Sequence, residues 1–140
     1  MYGTGLNTVT QRRRQSGAPT NTVRVTTIAA SLACTTNFAA GGALEDHTAP
    51  GDARIVSFTC CQYSPKHMMI KSGQSVTFSG DFGFHPFRWA CQEGAVVTNA
   101  PPSGSTGVFT FNKVGAYNFY CNNHGSASGA NMAGSILVVP

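Results

Sequence analysis

At 140 residues, with 41% hydrophobic and only 10% charged residues, the chain has material for one domain with a buried core and too little for a second catalytic domain. The 16 Gly and 7 Pro, set among frequent Val, Thr, Phe and Tyr, favour short strands joined by turns over helices. The formal charge of +4 is spread along the chain with no basic stripe interleaved with aromatics, which argues against a nucleic-acid partner.

Arg12-Arg13-Arg14 is the one basic cluster, and it precedes the mildly apolar run from Val23 to Cys34. A basic start, a short apolar stretch and small residues at its end have the form of an export signal, although Arg24 interrupts the run. Leu32-Ala33-Cys34 resembles the cleavage site of a bacterial lipoprotein, where the Cys receives the lipid, with Ser31 in place of a larger aliphatic residue. Residues 1–34 are therefore read as an export signal or lipoprotein leader ending at Cys34, with a disordered tail as the alternative. This predicts an exported protein, periplasmic or in the cell envelope, attached to a membrane only through lipid on Cys34. No apolar stretch is long enough to span a bilayer as a helix.

Residues 35–52, rich in Thr, Asn, Ala and Gly, lack apolar periodicity and read as a linker or irregular arm before a domain over 53–140. Short apolar runs then recur with turn signals between them: Ile55 to Cys60, Met68 to Ile70, Val76 to Phe78, Phe84 to Trp89, Ala95 to Val97, Val108 to Phe111, Tyr117 to Cys121 and Ile136 to Val139. Ser75-Val76-Thr77-Phe78-Ser79 and Val108-Phe109-Thr110-Phe111 alternate as strands buried on one face do. About eight short strands without amphipathic helical segments predict an all-β, two-sheet sandwich with Greek-key connections.

The chemistry gathers at the end of the chain. Cys121 closes the run Tyr117-Asn118-Phe119-Tyr120, His124 follows after two residues, and Met132 ends the same loop just before Gly134 to Val139 resumes a strand. A thiolate, an imidazole and a thioether in one loop suit copper, because soft sulfur favours Cu(I) and imidazole accommodates Cu(II). Taken singly, Cys121 and Met132 would also pass as ordinary core residues.

Four ordered segments resemble the cupredoxins, the small blue copper proteins, and among them plastocyanin-like bacterial members. They are Ser64 to Phe78, Gly80-Asp81-Phe82-Gly83-Phe84-His85-Pro86-Phe87, Val114 to His124, and Gly129-Ala130-Asn131-Met132-Ala133-Gly134 onward to Val138. The resemblance covers roughly residues 51–140 and implies a single type 1 copper ion, with His85, Cys121 and His124 in a trigonal plane and Met132 as the long axial ligand. It implies a one-electron carrier and no enzyme, passing electrons to redox protein partners by transient contact near His124, as a monomer. The alternatives are a copper-binding or storage protein, a non-redox interaction module, or a copper-enzyme fragment, the last needing more His than the four present. Two departures stand out. Met132 lies eight positions after His124, in a loop three residues longer than that of plastocyanin. Pro86 follows His85, where plastocyanin has a residue whose N–H reaches the thiolate, and proline has no N–H to give.

Cys60 and Cys61, adjacent in an expected strand, should point to opposite faces; either could pair with Cys91 in an exported protein, and one disulfide involving Cys91 is favoured over three free buried thiols. His67 is expected at the solvent end of a strand in which Met68 and Met69 alternate, one of them buried. His47 reads as a solvated loop residue. Phe87 and Trp89 are expected either to shield the metal or simply to pack in the core.

Overall fold

The computed structural model describes the backbone of residues 7–14, 21–28 and 33–140, and the side chains of residues 33–140. The chain divides into two units, residues 1–32 and 33–140. In the first, β1 (Asn7–Arg14) and β2 (Asn21–Ile28) pair antiparallel, Asn7 opposite Ile28. Of the expected leader, residues 1–6, 15–20 and 29–32 lie outside those described.

The second unit contains β3 (Leu44–Asp46), β4 (Ile55–Thr59), β5 (Gln62–Ser64), β6 (His67–Lys71), β7 (Gln74–Ser79), β8 (Phe87–Gln92), β9 (Val96–Ser103), β10 (Thr106–Phe111), β11 (Gly115–Gly125) and β12 (Asn131–Val139). They form two five-stranded sheets, ordered β5-β4-β7-β10-β9 and β3-β6-β12-β11-β8. β4 with β7, β6 with β12 and β3 with β6 are parallel, and the other pairs are antiparallel. There are thus ten strands in this unit against the expected eight, the additions being the three-residue strands β3 and β5, too short to show an alternation in sequence.

Alternation fixes which side chains meet between the sheets. β4 buries Val56 and Phe58, β7 buries Val76 and Phe78, and β10 buries Phe109 and Phe111. They face Phe87, Tyr117, Phe119, Ile136 and Val138 of the other sheet in one apolar cluster. Phe78 meets Phe119 edge to face with centroids 5.0 Å apart, and Phe87 stacks on Phe119 at 5.5 Å. Such pairs contribute about 0.5–1.5 kcal/mol each beyond their area. Trp89 packs against this cluster while only partly buried.

β12 is buried on both faces, and its outer face is crossed by the segment expected as a linker or arm. Thr35 O accepts from Asn118 on β11, and Gly41 O is held by His67 on β6, so residues 34–43 pass over the sheet before β3 adds to its edge. His67 is consequently buried, not at a solvent end: Nε2–H donates to Gly41 O at 2.8 Å and Nδ1 pairs with Ser135 Oγ at 2.8 Å. Met68 and Met69 are both buried, one toward each face of a covered strand. His47 is half-buried, with Nδ1 2.8 Å from Ala53 O and Nε2 3.3 Å from Glu45.

Cys91 forms a disulfide, as expected, but its partner is neither Cys60 nor Cys61. Cys91 bonds to Cys34, 57 residues away, and fastens the arm to β8. A Cys34 sulfur so engaged has no valence left for a lipid, so the bond and the lipid are mutually exclusive uses of that atom. Cys60 and Cys61 bond to each other. They are not on opposite faces of a strand: with Thr59 paired to Gln62, they form the exposed two-residue tip of the β4–β5 hairpin.

Candidate metal centre

His85 sits in a loop rather than in the strand expected from Phe84 to Trp89, which starts only at Phe87. Asp81 organises that loop. Its Oδ1 accepts from the N–H groups of Gly83 (2.8 Å) and Phe84 (3.2 Å), and its carbonyl accepts from His85 N–H at 3.0 Å. A short carboxylate that satisfies the backbone two and three residues on is how Asp shapes a turn. Phe82 anchors the loop by burying its ring edge-on to Phe58, and Phe58 in turn lies 5.9 Å from the His85 ring.

Cys121 and His124 are positioned by a break in the β11–β12 ladder. Up to Tyr120 opposite Ala133 the register is regular, and it resumes with Gly125 opposite Asn131. β11 has advanced five residues while β12 has stepped back two, so three residues of β11 are extra (5 − 2 = 3). Bulges of this kind re-aim side chains at the rim of a sheet. Asn122 N–H donates to Pro86 O at 2.8 Å and Asn123 Nδ2 to Phe84 O at 3.1 Å, so the bulge is tied to the His85 loop. Ser126 and Ala130 close the remaining turn through backbone N–H to O at 3.2 Å.

The result is a triangle of donor atoms. His85 Nδ1 and His124 Nδ1 are 3.1 Å apart, and Cys121 Sγ is 3.8 Å from the first and 3.6 Å from the second. The point equidistant from all three lies about 2.0 Å from each, close to the bond lengths of zinc, about 2.0–2.1 Å to imidazole and 2.3 Å to thiolate. Two neutral imidazole nitrogens and one thiolate, the set that type 1 copper uses, therefore fit a metal ion without rearrangement. His85 and Cys121 are buried and His124 is half-buried, so only one ligand ring reaches toward solvent.

Met132 is fully buried in the same apolar cluster as Cys121. The regular register, continued one step past Tyr120 and Ala133, sets Met132 opposite Cys121 on the same face of the sheet. The longer loop thus loops out beyond this pair. Among the described residues no backbone N–H donates to Cys121 Sγ, in keeping with proline at position 86. Tyr63, also in this cluster, has a hydroxyl without a hydrogen-bond partner among the described residues. Burial, and secondarily the Cys121 sulfur, pushes its phenol well above the usual range.

Sequence reasoning missed a second donor group. Cys60, Cys61 and His124 each offer an atom within 4.8 Å of the other two, with both cysteines exposed. Their adjacency in sequence was visible, but nothing in a strand-like reading placed the hairpin tip beside His124.

No protein-family model matches the chain, and no curated protein matches it. Among solved structures it is similar to amicyanin from Paracoccus versutus, at 24% identity over 64% of this chain and 84% of that one, with a TM-score of 0.46. It is also similar to a copper-containing nitrite reductase from Thermus scotoductus, at 26% identity over 61% of this chain and 22% of that one, with a TM-score of 0.47. A third likeness is the metal-binding domain of the Cu(I)-exporting P-type ATPase CopA of Streptococcus pneumoniae, at 17% identity over 72% and 100% of the two chains, with a TM-score of 0.45. The two five-stranded sheets, with parallel β6–β12 and β4–β7 pairs, form the all-β two-sheet sandwich that the resemblance to cupredoxins implies for this part of the chain.

Proposed function

We propose that the protein is a type 1 copper electron carrier in which His85, Cys121 and His124 hold the ion and Met132 is its weak axial ligand. The observation that carries this reading is the triangle of two Nδ1 atoms and one Sγ, with sides of 3.1, 3.6 and 3.8 Å. Bound copper would alternate between Cu(II) and Cu(I), carrying one electron. The chain's part is to hold the donors still, and the Asp81 turn, the Asn122 and Asn123 bonds and the aromatic cluster do so from three sides. A ligand frame that does not move between oxidation states favours rapid electron transfer.

His124 is the route for the electron, being the one ligand ring of the triangle not fully buried. Around it lie the small residues Gly125, Ser126, Ala127 and Ala130, and Phe84, 73% exposed, stands beside His85. This surface suits brief, weakly polar contact with a redox protein and needs no large interface. The protein acts as a monomer, with no catalytic role and no nucleic-acid partner. His47 and His67 are engaged in hydrogen bonds elsewhere in the fold, which speaks against the second, His-rich copper that an oxidase or reductase would use. Its setting is the periplasm or cell envelope after export, where an engaged Cys34–Cys91 bond is also at home.

The test is reversible cycling. Copper-loaded protein, reduced and reoxidised repeatedly with mediators, should return to the same Cu(II) spectrum with one electron per copper. Tight Cu(I) binding without a stable Cu(II) form would make the protein a store or carrier of the ion instead.

A further inference from the structure

Cys60 and Cys61 form a bond that does little for stability. A disulfide stabilises mainly by restricting the unfolded chain, and one between neighbours in sequence closes almost no loop, unlike Cys34–Cys91 at a separation of 57. Both cysteines are exposed at the hairpin tip, where a dissolved reductant can reach them. The tip is held in place from below: Val56 and Phe58 of β4 are buried, and Phe58 packs on the His85 ring at 5.9 Å. From there, both sulfurs lie within 4.8 Å of a ring nitrogen of His124, and of each other. His124 therefore belongs to two donor groups, one buried with His85 and Cys121, the other at the surface with two sulfurs.

We propose that Cys60 and Cys61, once reduced, form with His124 a solvent-facing Cu(I) site that receives the ion and passes it inward through the shared imidazole. Two thiolates and one imidazole are a soft set that selects Cu(I) over Cu(II). A dithiol supplies the reduction: its two S–H groups become its own disulfide, the Cys60–Cys61 bond breaks, and both electrons and both protons end on the two cysteines. Cu(I) then displaces the thiol protons to solvent. Transfer inward exchanges the two exposed sulfurs for Cys121 and His85. Binding at the outer group does not depend on the inner group being a copper site, whereas the transfer step rests on that reading.

The experiment uses the whole chain under anaerobic conditions, reduced by a phosphine, which takes oxygen from water as the disulfide takes two electrons and two protons. Cu(I) is titrated against a chromophoric chelator. With the inner group disabled by Cys121→Ser, the reduced protein should hold one Cu(I) at least about tenfold more tightly than the Cys121→Ser/Cys60→Ser/Cys61→Ser variant treated identically. Cys34 and Cys91 are present in both, so their thiols cancel. Equal affinities overturn the outer site. Should Cys121→Ser fail to fold, the Cys60→Ser/Cys61→Ser protein should take Cu(I) into the inner group at least about tenfold more slowly than the parent, yet give the same Cu(II) spectrum once the phosphine is removed and ferricyanide takes one electron from each copper. Equal uptake rates overturn the proposal, whereas a parent lacking a thiolate-to-copper band, with outer binding intact, would refute the inner reading alone.

Discussion

Gly125→Ala is the substitution that most sharply tests how the fold aims His124. A Cβ at position 125 would stand 2.1 Å from Met132 O and 3.2 Å from Cys121 O, while ordinary contact starts near 3.4 Å. The two strands would have to part by about 1.3 Å (3.4 − 2.1) at the step where pairing resumes after the bulge. Both obstacles are backbone atoms, so no rotamer change relieves them. Overpacking of this kind costs about 1–3 kcal/mol, or a fall in Tm of roughly 4–8 °C per kcal/mol in a domain of this size. His124 is the adjacent residue. Metal–ligand distances tolerate deviations of only about 0.2 Å, so even a partial shift takes its Nδ1 out of the donor triangle. Thermal unfolding of the metal-free protein and the visible spectrum after Cu(II) addition read the two effects separately. Gly73→Ala is the control: Gly73 has a φ of 88° and open space around it, so it should lose about 1–2 kcal/mol of backbone preference and leave the copper spectrum unchanged. A Gly125→Ala protein with the parent's Tm and spectrum would refute the account of the bulge.

Other outcomes follow from single groups. Tyr63 keeps its proton in the metal-free folded state while the unfolded chain releases it near pH 10, so stability is full below about pH 10 and falls above it by about 1.4 kcal/mol per pH unit from this group. Tyr63→Phe should reduce that decline in urea-unfolding midpoints, leaving the contribution of Tyr117, whose phenol burial also raises, and should cost nothing at neutral pH because the lost hydroxyl has no partner. His67→Ala removes the link between Gly41 and Ser135 together with a buried ring, and should lower unfolding free energy by about 2–4 kcal/mol with the copper spectrum unchanged. Pro86→Asn restores an N–H beside Cys121 and should raise the copper potential in a redox titration; an unchanged or lower value would remove proline as a determinant.

Much of the sandwich was legible because burial on one face writes itself as alternation, as in Val76 and Phe78 or Phe109 and Phe111. That His85, Cys121 and His124 come together in space was legible through the order of segments resembling cupredoxins. What sequence could not express was register. Nothing local says that three residues of β11 bulge outward, or that Met132 then stands opposite Cys121. The arm was illegible for a related reason. Residues 34–43 cover the sheet through backbone carbonyls and a disulfide rather than an apolar pattern, so their composition reads as a linker. The Cys60–Cys61 tip was hidden because Ile55 to Cys60 continues the alternation into what is in fact the turn.

The central claim is that His85, Cys121 and His124 bind copper through a thiolate. Its most direct measurement is the visible and paramagnetic resonance spectrum of the purified protein after one equivalent of Cu(II). An intense thiolate-to-copper band with a narrow copper hyperfine splitting, both lost in Cys121→Ser, is the predicted result. A colourless protein whose resonance is that of loosely bound Cu(II), unaltered by Cys121→Ser, would contradict it.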